Sequence, residues 1–490
     1  MLLGIFLVAL DTTVITSTYA SIGSQFEQLQ NTSWIATGYM LSLTSFQPLY
    51  GKLSDIFGRK SCLLFAYSVF ALGCLCCGLA RNMTELITAR ALAGVGGGGI
   101  STMTSIIMSD VAMLRQRGML QGVVNIAWAI GQATGAPLGG IMADGVGWRW
   151  AFLLQVPVTV LAILSVGLGL NLPRPSAGNF REKLARVDFA GAGMLVVSMF
   201  LLLFGLDRGG NVSWTDHMTI VSLLLSAIFL VMFVAVELRW AREPFAPKRI
   251  VVHPTLLASY LCNLFSNGAT ITVFFHVSLY LQAVRGFSAS DVGLTLLPTI
   301  FGGVSGSLAA GLFMQKTGKY YVFTLAMFVL MLVGNIMISL VTGVTAFSLA
   351  GLILGIIVNN FGIGAGINST LVALIANAGP DDQAIATAVS YLFRSLGSVV
   401  GLSVGTALAQ DILRQSLRKR LTGQPGVDVD EITRRVRESL GYIGQLEPAV
   451  RAKVVRSYQD GLQATFWFTV TLSVLTVLIS LYIKEKPLAR

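Results

Sequence analysis

Residues 51–60 read Gly-Lys-Leu-Ser-Asp-Ile-Phe-Gly-Arg-Lys, and they lie between two long apolar stretches. A degenerate copy of this decad, residues 311–320, lies 260 residues further along, between two other apolar stretches. The copies align without gaps, so that Gly58 is opposite Gly318. Glycine permits tight turns, and cations next to apolar helices mark the cytoplasmic side of a membrane. The repeat therefore predicts two equivalent halves, each with a basic hinge between consecutive membrane-spanning helices.

The composition indicates a membrane environment. Apolar residues make up 54% of the chain and charged residues only 12%, which is about half the charged fraction of soluble proteins. A helix needs about 20 mostly apolar residues to cross a bilayer, and its backbone must be satisfied internally. Fourteen stretches fit this description, beginning near residues 1, 33, 61, 85, 119, 150, 189, 218, 256, 292, 320, 346, 384 and 462. We therefore expect an all-α integral membrane protein with 14 transmembrane helices.

Lysine and arginine are distributed unevenly among the loops. If residues 51–60 face the cytoplasm, the loops on that side hold 18 Lys and Arg residues. The short opposite loops hold only Arg81, Arg149, Arg208 and Arg285. The positive-inside rule then places both chain ends in the cytoplasm. Asn-X-Ser/Thr triplets in loops predicted to be external mark three possible glycosylation sites, Asn31, Asn82 and Asn211.

The apolar stretches fall into a six plus two plus six pattern. We predict an N-terminal six-helix bundle over residues 1–172, two additional linker helices over 187–240, and a C-terminal six-helix bundle over 255–490. Parallel repeats of six helices place a substrate cavity near the membrane midplane, between the halves. The outer loop 411–460 carries ten basic and seven acidic residues, and its apolar spacing predicts amphipathic helices over the outer mouth.

Several other classes of protein are disfavoured. The net charge of +11 is mostly the orientation signal, without the basic face and stacking aromatics of a nucleic-acid binder. The sequence contains neither a Walker GxxxxGK[ST] pattern nor HExxH, and its three histidines are scattered. We expect no enzyme activity, no cofactor and no metal, and we interpret Cys74 and Cys77 as core residues. A non-transporting nutrient receptor would normally append a cytosolic signalling domain, which the loops do not provide.

Several motifs resemble those of the major facilitator superfamily, in particular its fourteen-span proton-coupled antiporters. The matching segments are the decad 51–60, Leu10 to Thr13, Arg90 with Gly94, and Trp148 to Phe152. A further match to the antiporter motif of the fifth helix comprises Gly131, Gly135, Pro137, Gly139 and Gly140. Residues 121–128 and 155–157 are most similar to fungal vacuolar basic amino acid transporters. The resemblance implies a monomer that exchanges protons for a small molecule across a lipid membrane.

Few ionisable residues fall deep inside the apolar stretches, and such residues are functional candidates by default. Asp11 is the only carboxylate well inside a predicted span, and it could hold either a proton or a cationic substrate. It could also simply anchor helix packing. Arg90 takes the proton-relay position of the superfamily, and Arg394 could bind a substrate carboxylate or act as a structural tether.

Two further sets of residues are predicted to act beside these charges. Polar or aromatic residues on apolar helices could line a substrate cavity or merely bridge helices: Tyr39, Asn125, Gln132, Asn263, Asn267, Asn360 and Tyr391. A cytoplasmic cluster could gate the transport cycle: Gly51, Asp55, Gly58, Arg59, Lys60 and Asp110. In the fifth helix, glycines every four residues share one face, which suits close packing against a neighbouring helix.

We therefore predict a proton-coupled transporter that moves the cationic amino acids Lys, Arg and His from the cytosol into an acidic vacuole. Asp11 would alternate between proton and cation. The nearest alternative is a plasma-membrane exporter of amphipathic organic cations, which would have a larger aromatic cavity. The chain begins almost directly with its first apolar stretch, so an N-terminal tail could precede it.

Overall fold

A computed structural model describes residues 1–111, 117–170, 189–239, 250, 253–343, 347–378, 383–422 and 429–486. Every regular element in these ranges is a helix. The chain divides into two compact units. The first comprises Met1–Leu202, Leu224–Pro244 and Ser288–Leu294, and the second comprises Leu203–Leu223, Phe245–Phe287 and Thr295–Arg490. The Pro- and charge-containing linkers that the sequence predicts, Pro173 to Arg186 and Arg239 to Pro254, lie mostly outside the described residues.

The helices up to residue 170 all belong to the first unit. They are α1 (Leu2–Gln25), α2 (Ser33–Phe57), α3 (Arg59–Leu79), α4 (Met83–Val111), α5 (Arg117–Asp144), α6 (Arg149–Leu153) and α7 (Gln155–Gly169). A 3₁₀ turn, Leu29–Asn31, joins α1 to α2. The next two helices, α8 (Phe189–Asn211) and α9 (His217–Arg239), form a hairpin whose tip belongs to the second unit.

The remaining helices belong to the second unit, apart from the start of α11. They are α10 (Pro254–Ala283), α11 (Ala289–Thr317), α12 (Tyr321–Gly343), α13 (Leu349–Ala378), α14 (Gln383–Leu421), α15 (Val429–Glu438) and α16 (Pro448–Ser480). A second 3₁₀ segment, Leu440–Gln445, lies between α15 and α16.

Over the described residues, twelve helical segments are long and apolar enough to cross a membrane, with α6 and α7 counted together as one. Helices α2 and α5 are not among the twelve, although they contain 25 and 28 residues. The helical fold agrees with the sequence-based expectation. The count of fourteen spans and their six plus two plus six arrangement stay predictions.

The two copies of the repeated decad share an unusual backbone geometry. Gly58 ends α2 with φ of 88°, and Gly318 follows α11 with φ of 66°. L-residues rarely adopt positive φ, so glycine is the residue that these turns require. The equivalence expected from the repeat is thus also present in the backbone.

Glycines also determine how closely the helices of the first unit pack. On α5, the Cα atoms of Gly131, Gly135 and Gly139 lie against the backbone of α1, where a methyl group on Gly139 would be 2.6 Å from the Val14 carbonyl oxygen. On α4, Gly98 lies in the same way against Leu43 of α2. Backbones this close leave no room for a side chain, so these positions select glycine.

The region predicted as an outer loop is mostly a continuation of two helices. Helix α14 contains 39 residues and α16 contains 33, so they are about 58 and 50 Å long, whereas the hydrocarbon core is about 30 Å thick. Their extensions are joined by an ion pair of 2.6 Å between Arg420 and Asp460. The Tyr458 hydroxyl donates to the Val436 carbonyl of α15 over 2.7 Å. The apolar spacing at Ile412 to Leu421 belongs to α14 itself and not to a separate helix.

Candidate functional site

Two buried charged side chains of the first unit form an ion pair. Asp11 lies near the middle of α1 and Arg90 lies in the first third of α4. Arg90 Nη1 is 2.6 Å from Asp11 Oδ2, and the two side chains are 1% and 0% exposed. An ionised carboxylate or guanidinium in a low-dielectric interior is costly unless it is paired and hydrogen-bonded. Each of these residues therefore supplies the charge that makes burial of the other tolerable.

The guanidinium of Arg90 is held on two further sides. Its Nε donates to the carbonyl oxygen of Ile35 on α2, over 3.2 Å. Its Cζ lies 4.2 Å from the centre of the Tyr39 ring and 5.7 Å from that of Phe152. A cation over an aromatic face is stabilised by the ring quadrupole, more strongly where water is excluded. Arg90 thus connects α1, α2 and α4, and it has little freedom to leave Asp11.

Gln155 also belongs to this site, although the sequence indicated it only as part of the motif at residues 155–157. Its Nε2 donates to Asp11 Oδ1 over 3.3 Å and to the Ala151 carbonyl over 2.9 Å. Its Oε1 is 4.0 Å from the sulfur of Cys74 on α3. An amide on an otherwise apolar helix is the signal that could have identified it, but nothing in the sequence pairs it with Asp11.

The arrangement suits a site that responds to protons. Asp11 accepts from Arg90 through one oxygen and from Gln155 through the other. A proton on either oxygen would replace an acceptor by a donor and weaken that contact. Protonation of Asp11 would also remove the counter-charge of Arg90. The state of one carboxyl group therefore affects contacts of α1 with α4 and with α7.

The packing of α1 on α5 supports the same region. The Thr13 hydroxyl lies 3.2 Å from the Gln132 carbonyl, and the Ser17 hydroxyl donates to the Ala136 carbonyl over 2.7 Å. Pro137 follows within α5 and has no N–H to donate. These hydroxyls and the glycine face make α1 and α5 a closely packed pair beside Asp11. Gln132 enters this contact through its backbone.

At the hinge of the first unit, the two cations donate to oxygens. Arg59 Nη1 donates to the hydroxyl of Ser54, and Lys60 Nζ donates to the Gly167 carbonyl over 2.7 Å. In the second unit, Tyr320 replaces the lysine. Its buried hydroxyl donates to the Lys484 carbonyl over 3.0 Å and accepts from the Lys486 N–H over 2.7 Å. The same position of the repeat thus anchors α7 in one unit and the segment after α16 in the other.

Several predicted cavity residues lie in the second unit, where they bond to neighbouring groups. Asn263 Nδ2 donates to the Ser390 hydroxyl over 3.0 Å, and Asn267 Nδ2 donates to the Asn263 carbonyl over 2.8 Å. Asn360 Nδ2 donates within its own helix to the Ile356 carbonyl over 3.0 Å. Asn263 and Asn267 therefore share a face of α10, as their spacing predicts.

Arg394 is also in the second unit, on α14. Its Cζ lies 5.3 Å from the centre of the Tyr391 ring, and the Tyr391 side chain is 40% exposed. Within the described part of the chain, no carboxylate lies at ion-pair distance from Arg394. It therefore differs from Arg90, whose counter-ion is built into the same unit.

A chain of buried amides in the second unit was not predicted. Asn359 Nδ2 donates to Asn335 Oδ1 over 2.9 Å, and Asn335 Nδ2 donates to the Ser473 hydroxyl over 2.6 Å. All three side chains are fully buried. They connect α13, α12 and α16, which is the bridging role that the sequence analysis left open for its neighbour Asn360.

The side chains of several predicted residues lie outside the described part of the chain. The side chains of Asp55, Asp110, Asn125 and Asn211 lie outside the described residues, and so the predicted gate of Asp55, Arg59 and Asp110 stays a prediction. The other two candidate glycosylation residues make local hydrogen bonds, Asn31 to Gln28 and Asn82 to Glu85. Among the described residues, no group of three His, Cys, Asp or Glu side chains is placed to hold a metal ion.

Residues 1–402 match the family model described as Major Facilitator Superfamily. The chain belongs to this superfamily. It is therefore a multi-pass membrane transporter of small molecules and not an enzyme. The family, like the helical fold, was expected from the motifs at residues 51–60, at Arg90 and at Gly131 to Gly140, and the match confirms it.

Curated members of the superfamily resemble the chain over almost its full length. It is 37% identical to "Vacuolar membrane amino acid uptake transporter fnx2" of Schizosaccharomyces pombe, over 100% of this chain and 84% of that one. It is 38% identical to "Multidrug resistance protein fnx1" of the same organism, over 98% and 91% of the two chains. It is 32% identical to "Vacuolar basic amino acid transporter 2" of Saccharomyces cerevisiae, over 91% and 96%.

Solved structures of the superfamily share the fold. One is a bacterial homologue of the human lysosomal transporter Spinster, in an inward-facing and occupied conformation. It aligns with a TM-score of 0.66 and 17% identity, over 98% of this chain and 94% of that one. At this identity the likeness concerns the fold alone.

Proposed function

We propose that this transporter exchanges protons for basic amino acids and moves Lys, Arg and His from the cytosol into the vacuole. The observation that carries the proposal is the buried ion pair of Asp11 and Arg90. Ionisable groups held inside the membrane-spanning part of a transporter are costly, and they mark proton and ion pathways. Asp11 holds a proton in one state, and in the other it is ionised and favours a cationic substrate.

The choice of substrate rests on the relatives. Two of those described above are named for amino acid transport at the vacuole, and one of these names specifies basic amino acids. Asp11 is buried in its pair with Arg90, so a cation would bind only after the pair opens. In this proposal, Arg394 binds the carboxylate of the amino acid. No carboxylate lies at ion-pair distance from Arg394 in the described part of its unit.

The remaining features of the proposal concern topology. The chain has fourteen spans in a six plus two plus six arrangement, both ends are in the cytoplasm, and the transporter acts as a monomer. The proposal also keeps the substrate-cavity residues expected from the sequence, which are Tyr39, Asn125, Gln132, Asn263, Asn267, Asn360 and Tyr391. The basic residues of 51–60 support this orientation. A cysteine-accessibility scan of loops at both sides would test it.

Transport in proteoliposomes tests the function directly. Vesicles that are acidic inside should accumulate radiolabelled lysine, and a protonophore should abolish the accumulation. Asp11→Asn should still insert into the vesicles as folded protein, but it should lose gradient-driven lysine uptake. Lysine uptake that is indifferent to the pH gradient, or unaffected in Asp11→Asn, would contradict the proposal.

The second candidate is a multidrug exporter of the plasma membrane. It is favoured by one relative of equal similarity, which is named as a multidrug resistance protein. An amphipathic organic cation run beside lysine in the same vesicles separates the two. Proton-driven transport of that cation without lysine transport would establish the exporter.

A further inference from the structure

Asp11 is contacted by side chains from two other helices, and in the contact from α7 the donor and the acceptor can be assigned. Arg90 on α4 binds Oδ2, and the amide of Gln155 on α7 donates to Oδ1 over 3.3 Å. Gln155 is itself only 2% exposed. A buried amide in contact with a carboxylate must present its N–H, because its oxygen would repel the carboxylate.

The remaining atoms of the amide are also engaged, which fixes its orientation. The second N–H of Nε2 donates to the Ala151 carbonyl over 2.9 Å, within the same helical segment. Oε1 lies 4.0 Å from the Cys74 sulfur, at the limit of a weak S–H donor. An amide turned by 180° would place its oxygen against both Asp11 and the Ala151 carbonyl. Only one orientation therefore satisfies the site.

We propose that Gln155 is a positioning residue that holds Asp11 in its ionised form and so sets the pH at which transport begins. This inference rests on the proposed proton exchange. A hydrogen bond donated to the charged form of an acid favours that form. Gln155 therefore opposes proton uptake by Asp11, and a proton that arrives on Oδ1 has to displace the amide.

The other groups around Asp11 leave this role to Gln155. Among the described residues, the titratable groups that interact with Asp11 from packed helices include Arg90 on α4, Tyr39 on α2, and Cys74 and Cys77 on α3. Arg90 is a permanent cation, and tyrosine and cysteine side chains are ordinarily neutral near pH 7. Gln155 is the neutral donor that touches Oδ1 directly.

Replacement of the amide should shift the pH profile of transport. Gln155→Met keeps an unbranched side chain of similar length but removes the donor. The pH of half-maximal lysine exchange should rise by about one unit, which is the size expected from the loss of one hydrogen bond to a charged group. Gln155→Glu should raise it as well, because two neighbouring carboxyl groups share a proton. Glutamate also preserves the size and polarity of the site if the methionine variant folds poorly.

Matched controls separate positioning from packing. Thr159→Val changes a buried hydroxyl one turn further along α7, which bonds to the Gln155 carbonyl and not to Asp11; its profile should be unchanged. Cys74→Ala removes the thiol beside Oε1 and should shift the profile slightly in the same direction, whereas Cys77→Ala should not. A wild-type pH profile in folded Gln155→Met and Gln155→Glu would overturn the inference.

A second readout is independent of transport. Infrared difference spectra of purified protein on acidification detect the carboxyl band of protonated Asp11, identified by its loss in Asp11→Asn. The band should appear at higher pH in Gln155→Met than in the wild type. If the wild type transports nothing, the proposed function fails, while this titration still decides the role of Gln155. An unchanged titration would refute that role even in an active transporter.

Discussion

Arg90 Nη1 lies 2.6 Å from Asp11 Oδ2, although 79 positions separate the two residues in the chain. Both side chains are closed off from solvent. The pair lies within one of the two compact units. Ile35, Tyr39 and Gln155, which contact the pair, belong to the same unit.

The energetic coupling of Asp11 and Arg90 can be measured by a double-mutant cycle. Asp11→Asn leaves Arg90 buried without its counter-charge and should destabilise the protein by about 3–5 kcal/mol. Arg90→Gln should be similarly damaging. The double variant should be more stable than the sum of the single losses predicts, because neither charge is then left alone. Thermal unfolding of the purified variants gives the comparison, and additive losses would contradict the pair.

A partly exposed pair provides the control for this cycle. Arg208 and Asp216 are 3.1 Å apart, with side chains 33% and 27% exposed. Asp216→Asn should cost much less stability than Asp11→Asn, since ion pairs near the surface contribute little. Transport gives a second comparison. It should be lost in every Asp11 and Arg90 variant, including the double variant, because the proposed exchange needs the Asp11 carboxyl group.

Gly135 should not tolerate even one methyl group. A Cβ atom there would collide with the Thr13 hydroxyl and the Leu10 carbonyl of α1. Gly135→Ala should therefore lower stability by about 1–3 kcal/mol through overpacking. Gly193 on α8 has nothing within 4 Å of such an atom, and Gly193→Ala should be neutral or stabilising by up to about 1 kcal/mol. Equal melting temperatures of the two variants would refute the close packing of α1 on α5.

The two hinge glycines should respond alike to substitution. Gly58→Ala and Gly318→Ala each force a side chain into positive φ, at a cost of about 1–3 kcal/mol. Gly51 and Gly311 occupy the other matching position of the decads and have open space around them. Alanine at Gly51 and Gly311 should not destabilise the protein. If all four alanine variants unfold at the same temperature, the conformational requirement is wrong.

Helix α15 should loosen in acid. Hydrogen bonds from Arg434 and then Arg435 lower the pKa of Glu431. A carboxyl group whose pKa is lower in the folded protein contributes stability above its ordinary pKa, and this contribution is lost as the pH falls through the lower value. The protection factors of the α15 amides, which correct for the intrinsic exchange rate at each pH, should therefore fall in that acidic range.

The same measurement on two variants identifies the responsible group. Glu431→Gln should exchange faster at neutral pH and lose the acid-induced change. Glu447→Gln alters an exposed glutamate that has no ion pair in the described residues, so it should keep the wild-type response. Acid-sensitive exchange that persists in Glu431→Gln would assign the effect to another group.

Much of this architecture was predictable because membrane burial is visible in composition. Apolar length predicted the helices, the repeated decad predicted two turns of the same geometry at Gly58 and Gly318, and intramembrane charge singled out Asp11 and Arg90. These features depend on local sequence and on the cost of charge in lipid, so each can be predicted from one segment of the chain without knowing how the helices pack.

Pairing was harder to predict because it depends on which helix faces point toward each other. Asp11 was expected to bind a proton and a cationic substrate in turn, but nothing in the sequence of its own helix indicated a hydrogen bond with Gln155. Asn335 and Asn359 lie on helices whose relative rotation the sequence does not give. The extension of α14 beyond residue 411 was missed because its charges were interpreted as the end of a span, although Leu413, Leu417 and Leu421 continue the helical spacing.

Helices α14 and α16 continue together well past the length that a bilayer can cover, joined by Arg420 and Asp460. Small transporters are difficult targets for single-particle imaging, because detergent hides most of their mass and leaves little to align. Here the paired ends of α14 and α16 form a long helical segment of the second unit. An antibody fragment raised against residues 411–421 and 448–460 would bind this helical pair and mark the orientation of each particle.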